Sequence, residues 1–127
     1  METLKILKTE ETPAVELNTA CNNFMISGKC FPENPLQFFE PIMHWFENYI
    51  QNPQTNFTLH LDFSYLNSSS SKMLFDIFLM LENTMDKSNV KIYWYCQEDD
   101  LMQEQGLYLK AQTKINFEML TKAFQTV

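Results

Sequence analysis

A strand, a helix and a second strand follow one another in the middle of this chain, and that order constrains the fold most. Between positions 57 and 63 apolar residues alternate with polar ones, which is the period of a strand with one buried face. From position 74 to 85 the apolar residues fall at helical spacing instead. Alternation returns from Val90 to Cys96, so the whole segment predicts a right-handed parallel crossover unit.

Upstream residues extend this unit with a hairpin and another helix. Val15 and Leu17 predict a strand, with a hairpin partner from Phe24 to Ser27, and residues 3–8 suggest an additional edge strand. Asn34 and Pro35 are a cap and a first helical residue, so a helix is expected from Pro35 to about Gln51. The helix after the central strand is expected over residues 70–86.

Downstream of the second crossover strand, Gln97 to Lys110 predicts a third helix. Its first turn would hold Glu98, Asp99 and Asp100, where carboxylates complement the helix dipole. From Ile115 to Phe124 propensity leaves a short strand and a final helix open.

The polar residues of the strands indicate how many faces of the sheet are covered. Parallel strands buried on both faces read as continuous apolar runs, whereas here His60, Asp62 and Tyr93 interrupt the pattern. We therefore expect one domain over residues 1–127, an α/β sheet of four to five mixed strands with helices mainly on one face.

Composition and charge limit the classes of partner and the cellular compartment that we expect. The chain has 127 residues, 45% of them hydrophobic, and a net charge of −7, which opposes binding to nucleic acid or to an anionic membrane. No apolar run reaches the roughly 20 residues needed to cross a bilayer, and no secretory signal is visible, so a cytoplasmic protein is expected. Cys21, Cys30 and Cys96 lack C-x-x-C spacing, which predicts reduced thiols and no metal site.

Catalytic and cofactor motifs are missing from the sequence. Gly28 and Gly106 are the only glycines, so neither a P-loop nor a dinucleotide fingerprint can be assembled, and no cofactor is predicted. An alternative is a small enzyme or ligand-binding domain that uses His60, Asp62 and Tyr93 on the polar sheet face, although no convergent base, nucleophile and oxyanion donor can be named.

Four consecutive serines, Ser68 to Ser71, follow the central strand and open the next helix. A serine here can act as a helix N-cap. An exposed serine at a helix start can also carry a phosphate, because the first amides and the dipole favour negative charge. Asp76 lies in helical register with the run, where it can face solvent, bond the loop amides or repel an added phosphate.

Several of these segments together resemble the SiaC family of bacterial regulatory phosphoproteins. The resemblance runs from about Thr12 to Cys96. The segments that carry it are Gly28-Lys29-Cys30-Phe31-Pro32-Glu33-Asn34, Glu40-Pro41-Ile42 with Trp45, Tyr65-Leu66-Asn67-Ser68-Ser69-Ser70 and Asp76-Ile77-Phe78. It implies a STAS-like fold, similar to that of anti-sigma factor antagonists, and a signalling protein without catalysis of its own. Phe31, Pro32, Glu33 and Asn34 form the family motif.

The resemblance also implies a phosphorylation switch. The acceptor would be Ser68, which directly follows the Leu66-Asn67 pair, with Ser69 and Ser70 as competing sites. Its implied partners are a serine/threonine kinase, a PP2C-type phosphatase and a diguanylate cyclase, which the unmodified form binds and activates in cyclic-di-GMP and biofilm signalling. Two positions depart from the family pattern: serine replaces threonine at the acceptor, and Cys30 stands where a serine is common. An alternative regulatory hypothesis is that the protein is a STAS-like antagonist, which captures an anti-sigma factor kinase and so controls transcription.

Overall fold

Six strands form one sheet, and they lie side by side in the order in which they occur in the chain. A computed structural model describes residues 1–122. The strands are β1 (Leu4–Ile6), β2 (Ala14–Asn18), β3 (Asn23–Cys30), β4 (Asn56–Leu66), β5 (Asn89–Cys96) and β6 (Asn116–Thr121). The first three pair antiparallel, and β3 to β6 pair parallel.

Three helices connect the parallel strands. They are α1 (Pro35–Tyr49), α2 (Ser68–Glu82) and α3 (Leu101–Gln112). Because parallel crossovers are right-handed and the strand order never reverses, all three helices lie on the same face of the sheet. No helix within residues 1–122 is both long enough and apolar enough to span a membrane.

The predicted mixed α/β architecture is confirmed, but the predicted number of strands is wrong. The sheet has six strands rather than four to five. The segment for which strand and helix remained open forms β6, which pairs with β5 in parallel and places Phe117 beside Ile92. Pairing with β5 determines that this segment is a strand, and Ile115 and Phe117 are buried in it. Phe124 lies outside the described residues.

Side-chain caps fix where the helices begin, and two starts differ from the sequence expectation. Helix α2 begins at Ser68 rather than residue 70 because Asn67 caps it, and it ends at Glu82 rather than residue 86. Helix α3 begins at Leu101 rather than Gln97. Asp99 has a positive φ of 59°, which breaks helical geometry, and Asp100 is the cap. The three acidic residues therefore precede the helix instead of forming its first turn.

The core lies between the helices and the covered face of the sheet. Its largest fully buried side chains include Trp94, Tyr49, Phe24, Phe39, Phe46, Phe57 and Phe78. Helices α1 and α2 pack against each other, whereas α3 rests on β4, β5 and β6. Gly106 lets α3 approach closely, because a Cβ at this position would lie 2.4 Å from Nε1 of Trp94. That indole nitrogen donates to the carbonyl of Met102 at 2.8 Å.

Candidate functional site

The family motif and the serine run lie side by side where two neighbouring strands end. Cys30 pairs with Leu66 in the last register of β3 and β4, and the amide of Asn67 donates to the carbonyl of Cys30 at 3.0 Å. Next to this bond the rings of Phe31 and Tyr65 pack edge to face, with centroids 5.5 Å apart. We refer to segments 31–34 and 67–71 together as the serine edge.

The first half of the serine edge is mainly structural. Pro32 is buried and Phe31 is half-buried, with its amide donating to the carbonyl of Glu11 at 2.8 Å. Asn34 caps α1, because its Oδ1 accepts from the amide of Gln37 at 3.1 Å. Glu33 is exposed, and its carboxylate makes no hydrogen bond or ion pair with residues 1–122. Of these four motif residues, Glu33 is the one whose side chain remains available to a partner.

Asn67, not a serine, caps α2. Its Oδ1 accepts from the amide of Ser70 at 3.0 Å, while its carbonyl accepts from the amide of Ser71 at 3.0 Å. Helix geometry leaves the amides of Ser68 and Ser69 without intrahelical acceptors, because they belong to the first turn. The helix start therefore stands complete without any serine hydroxyl, and two amide donors remain beside Ser68.

The serines of the run differ sharply in exposure. Ser68 and Ser69 are exposed, Ser71 is half-buried, and Ser70 is fully buried with 0% of its surface accessible. The hydroxyls of Ser68 and Ser69 are therefore accessible to another protein, and that of Ser70 is not.

The Ser70 hydroxyl points into the protein beside the Cys30 thiol. Within the described chain it has no well-formed hydrogen bond, and its contact with Cys30 is therefore a weak one. Burial raises the pKa of Cys30 to about 11, and the contact with Ser70 opposes this effect only in part. Cys30 is thus a protonated packing residue beneath the serine edge.

A groove of about 480 Å³ opens next to Ser68, between α2 and α3. On the α2 side it is lined by Ser68, Ser71, Lys72 and Phe75, and on the α3 side by Leu101, Glu104, Gln105, Tyr108, Leu109 and Gln112. Gln105 also ties α3 to the serine edge, because its Nε2 donates to the carbonyl of Leu66 at 3.1 Å. Apart from Ser68, none of these residues was singled out as functional from the sequence, although the α2 set follows the helical spacing i, i+3, i+4, i+7 from that serine.

Asp76 lies away from the serine edge. It follows Ser68 by two turns, so a rise of about 1.5 Å per residue separates the two Cα atoms by about 12 Å along the axis. Its half-buried carboxylate makes no hydrogen bond or ion pair with residues 1–122. At this separation Asp76 neither bonds the loop amides nor contacts a phosphate on Ser68.

The sheet face that the helices leave uncovered, which we call the open face, carries the alternative site. Most of its titratable groups on β4, β5 and β6 contact one another. His60 Nδ1 lies 2.8 Å from the Tyr95 hydroxyl, Lys122 forms an ion pair with Asp62, and Lys91 lies 3.6 Å from Glu118 and over the ring of Tyr93. Burial lowers the pKa of His60 and raises that of Tyr95, and Tyr93 and Asp62 raise the latter further. These contacts occupy His60, Asp62 and Tyr93 internally.

A family of known proteins and a relative match most of this chain. The family described as "SiaC family regulatory phosphoprotein" matches residues 6–122. An uncharacterised protein of Pseudomonas aeruginosa strain UCBPP-PA14 is 30% identical over 96 residues, which is 75% of this chain and 76% of that protein.

Two solved structures have the same fold. Apo-SiaC from Pseudomonas aeruginosa superposes with a TM-score of 0.87 at 25% identity, covering 95% of this chain and 100% of that one. SiaC in complex with the diguanylate cyclase SiaD, which it activates, has a TM-score of 0.85 at 24% identity, covering 94% of this chain and 99% of that one. With its family motif and serine run joined at one edge of this fold, the chain belongs to the SiaC family of regulatory phosphoproteins.

Proposed function

We propose that the protein is a non-catalytic partner switch in which phosphorylation of Ser68 controls the binding of a diguanylate cyclase. The observation that carries this proposal is the exposed Ser68 hydroxyl, which lies at the start of a capped helix and on the rim of a groove. A serine/threonine kinase adds the phosphate and a PP2C-type phosphatase removes it. The unmodified form activates the cyclase and thereby raises cyclic-di-GMP, a signal in biofilm regulation.

The local geometry accommodates a phosphate without rebuilding the helix. The Asn67 cap uses the amides of Ser70 and Ser71, so the amides of Ser68 and Ser69 remain free to donate to phosphate oxygens. The helix dipole favours negative charge at the same place. Phosphorylation is therefore expected to leave the fold of the protein unchanged and to alter only the surface that a partner meets.

The change at that surface is large enough to release a partner. A phosphate adds about −1.5 to −2 charges and a strongly hydrated group to a contact that is otherwise a small hydroxyl. A partner that buries Ser68 would have to remove water from this group, and negative charge on the partner would also repel it. A penalty of about 1.4 kcal/mol already weakens binding tenfold, so a partial clash is sufficient.

The output rests on similarity to a characterised relative. SiaC of Pseudomonas aeruginosa activates the diguanylate cyclase SiaD, and this chain shares its fold and family. The exposed side chains around Ser68 supply a surface on which such a partner can bind. We accordingly assign a cyclase as the output partner of this chain.

Two linked measurements test the proposal. Phosphate is first located by fragment mass spectrometry on protein isolated from its host, comparing the native chain with Ser68→Ala and with Ser69→Ala as the matched exposed neighbour. Phosphate that disappears only in Ser68→Ala supports the assigned acceptor, and phosphate retained there refutes it.

The second measurement is the affinity of the host's purified diguanylate cyclase for the unmodified and the phosphoserine-68 proteins. We expect binding and activation by the unmodified form, and at least about tenfold weaker binding after phosphorylation. Equal affinities would refute the switch, and no binding to either form would refute the assigned output.

A further inference from the structure

The two edges of the sheet differ in how well they are protected against further strand pairing. β1 forms one edge with three residues, and Lys5 stands at its centre. Short strands and lysines are common means of preventing edge-to-edge association. β6 forms the other edge with six residues, and it pairs with β5 in unbroken register from Asn116 to Thr121. It contains neither a proline nor a bulge, so its outer side is a regular template for another strand.

The backbone groups of β6 alternate between its inner and outer sides. In a parallel pair the N–H and C=O groups of one residue point to the same neighbouring strand, and those of the next residue point away from it. The amide of Lys122 donates to the carbonyl of Cys96 at 2.7 Å, so the residues in phase with Lys122 bond to β5. Phe117, Met119 and Thr121 therefore direct their backbone groups outward, where no strand within residues 1–122 pairs with them.

The side chains of β6 alternate between the two faces of the sheet. Phe117 is buried on the covered face, with 4% of its surface accessible. Glu118, Leu120 and Lys122 are in the opposite phase and lie on the open face. Both charged residues have an ion pair on this face, yet the side chains of Glu118 and Lys122 remain 47% and 44% exposed. The outer strand thus presents a negative, an apolar and a positive side chain in a row.

This row is complementary to its own reverse. Two copies of β6 that pair antiparallel place residues of the same face opposite each other. A pair centred on Glu118 would oppose two like charges, and a pair centred on Met119 would place Glu118 opposite Leu120. A pair centred on Leu120 instead places Glu118 of each copy opposite Lys122 of the other copy. Opposite charges across a strand pair are favourable, so charge complementarity selects the third register.

The backbone of β6 fits the same register. Met119 faces Thr121 of the other copy, and both residues have N–H and C=O groups that point outward, so they can exchange both of their hydrogen bonds. Leu120 and the two charged residues fall at non-hydrogen-bonded positions. Facing Cα atoms are only about 4.5 Å apart at such positions, which brings the side chains close together.

An exposed leucine of α3 lies above this edge of the sheet. Gly106 rests over Met119, because a Cβ at Gly106 would lie 2.8 Å from Met119 Cε. The next residue, Leu107, is 51% exposed and does not line the groove between α2 and α3. It is turned from Gly106 by about 100° around the helix axis, in the direction away from Gln105 and the groove. Leu107 therefore supplies apolar surface that a second copy at β6 would cover.

We propose that two copies of this chain associate through antiparallel pairing of their β6 strands, with Glu118 of each copy opposite Lys122 of the other. The sheet then continues across a two-fold axis and keeps the helices of both copies on one face. Because the strands of the two copies run in opposite directions, their serine edges lie at opposite ends of the joined sheet and stay accessible. The inference is independent of the proposed function.

Sedimentation equilibrium of the full-length protein tests the association. At concentrations up to about 100 μM, which include the micromolar range of weak specific contacts, we expect an equilibrium between a monomer and a species of twice its mass. A native protein that stays monomeric over this range would overturn the proposal.

Charge reversal tests the register of the pair. In Glu118→Lys and in Lys122→Glu each homodimer opposes like charges, so we expect the dissociation constant to rise at least about tenfold in both variants. An equimolar mixture of the two variants restores opposite charges at both positions and should form a heterodimer at the native concentration. Lys5→Glu and Glu47→Lys, which reverse exposed charges away from β6, are the matched controls and should associate like the native protein.

Each outcome of the charge reversal decides a different part of the proposal. Reversal variants that dimerise like the native protein would overturn pairing through β6. Variants that are folded by circular dichroism but stay monomeric both alone and mixed would overturn the register. A dimer that forms only in the mixture supports the register, and it also shows that both variants are folded.

Discussion

The serine edge and the open face both carry exposed polar side chains, but they use them differently. On the open face the polar side chains of β4, β5 and the end of the sheet contact one another, as Asp62 does with Lys122 and His60 with Tyr95. At the serine edge Asn67 caps the helix, while the side chains of Ser68 and Glu33 have no partner within residues 1–122. Exposed polar side chains therefore do not by themselves indicate a binding surface, and those of the serine edge remain available to a partner.

The largest effect is expected where α3 meets the sheet behind the serine edge. Gly106→Ala places a Cβ 2.4 Å from Trp94 Nε1 and 2.8 Å from Met119, so we expect a loss of about 1–3 kcal/mol in the free energy of unfolding. Chemical denaturation measures this value. Helix propensity alone predicts a gain of up to about 1 kcal/mol, so an increase in stability would contradict the packing of α3 on Trp94.

Within the serine edge, substitution of the cap residue and substitution of the proposed phosphate acceptor should have different effects on stability. Asn67→Ala removes the acceptor for the Ser70 amide and should cost about 1 kcal/mol of stability. Ser68→Ala should change stability by less than about 0.5 kcal/mol, because the hydroxyl is exposed and no cap bond depends on it. Denaturation of the two variants side by side checks the difference, and equal losses would show that Ser68 shares the capping role.

The ion pair of the open face should contribute less than the cap. Asp62→Asn removes the charge opposite Lys122, and pairs at exposed sites typically contribute about 0.2–1 kcal/mol. The denaturation midpoint should therefore fall slightly, and cyclase affinity should stay unchanged because the open face lies opposite the helices. A loss of cyclase affinity in Asp62→Asn would move the partner surface to the open face.

The smallest effect is a pH dependence from His60. Burial lowers the pKa of His60 from its ordinary value of 6.5, so the unfolded chain binds this proton at a higher pH than the folded chain does. The contribution of neutral His60 to the free energy of unfolding is fully present above pH 6.5. It is lost as the pH falls from 6.5 through the pKa of His60 in the folded protein. His60→Gln should remove this part of the slope in thermal unfolding, whereas His44→Gln, an exposed histidine of α1, should keep it. Identical slopes in the native and His60→Gln proteins would contradict a lowered pKa of His60 in the folded protein.

The sequence predicted the central elements well because their periodicities are strong. The alternation in β4 and β5 and the apolar stripe of α2 each point to one buried face, and tertiary packing agrees with them. β6 remained ambiguous because its pairing with β5, which local propensity does not encode, determines its conformation. The predicted resemblance to the SiaC family is confirmed over residues 6–122, while the role of Ser68 stays a prediction.

The groove was not visible in the sequence for a related reason. Helix α3 has apolar residues on more than one side, with Met102 and Leu109 buried and Leu101, Leu107 and Tyr108 exposed. Such a helix gives no clear inner face, so its outer apolar residues cannot be recognised before the fold places them beside α2. The residue that caps α2 could not be identified from the sequence either, because asparagine and serine are both good caps. The observed start of α2 at Ser68 shows that the cap is Asn67.

The order of the strands in the sheet has a consequence for synthesis on the ribosome. Every strand pairs with the strand made immediately before it, so the sheet can grow from one edge as the chain emerges. Helix α3 precedes β6, and it lies on β6 as well as on β4 and β5. The packing of the outer wall of the groove is therefore complete only when β6 has docked. A nascent chain displays the serine run, which lies on α2, before it can form the complete groove, so the two features of this edge mature at different stages of synthesis.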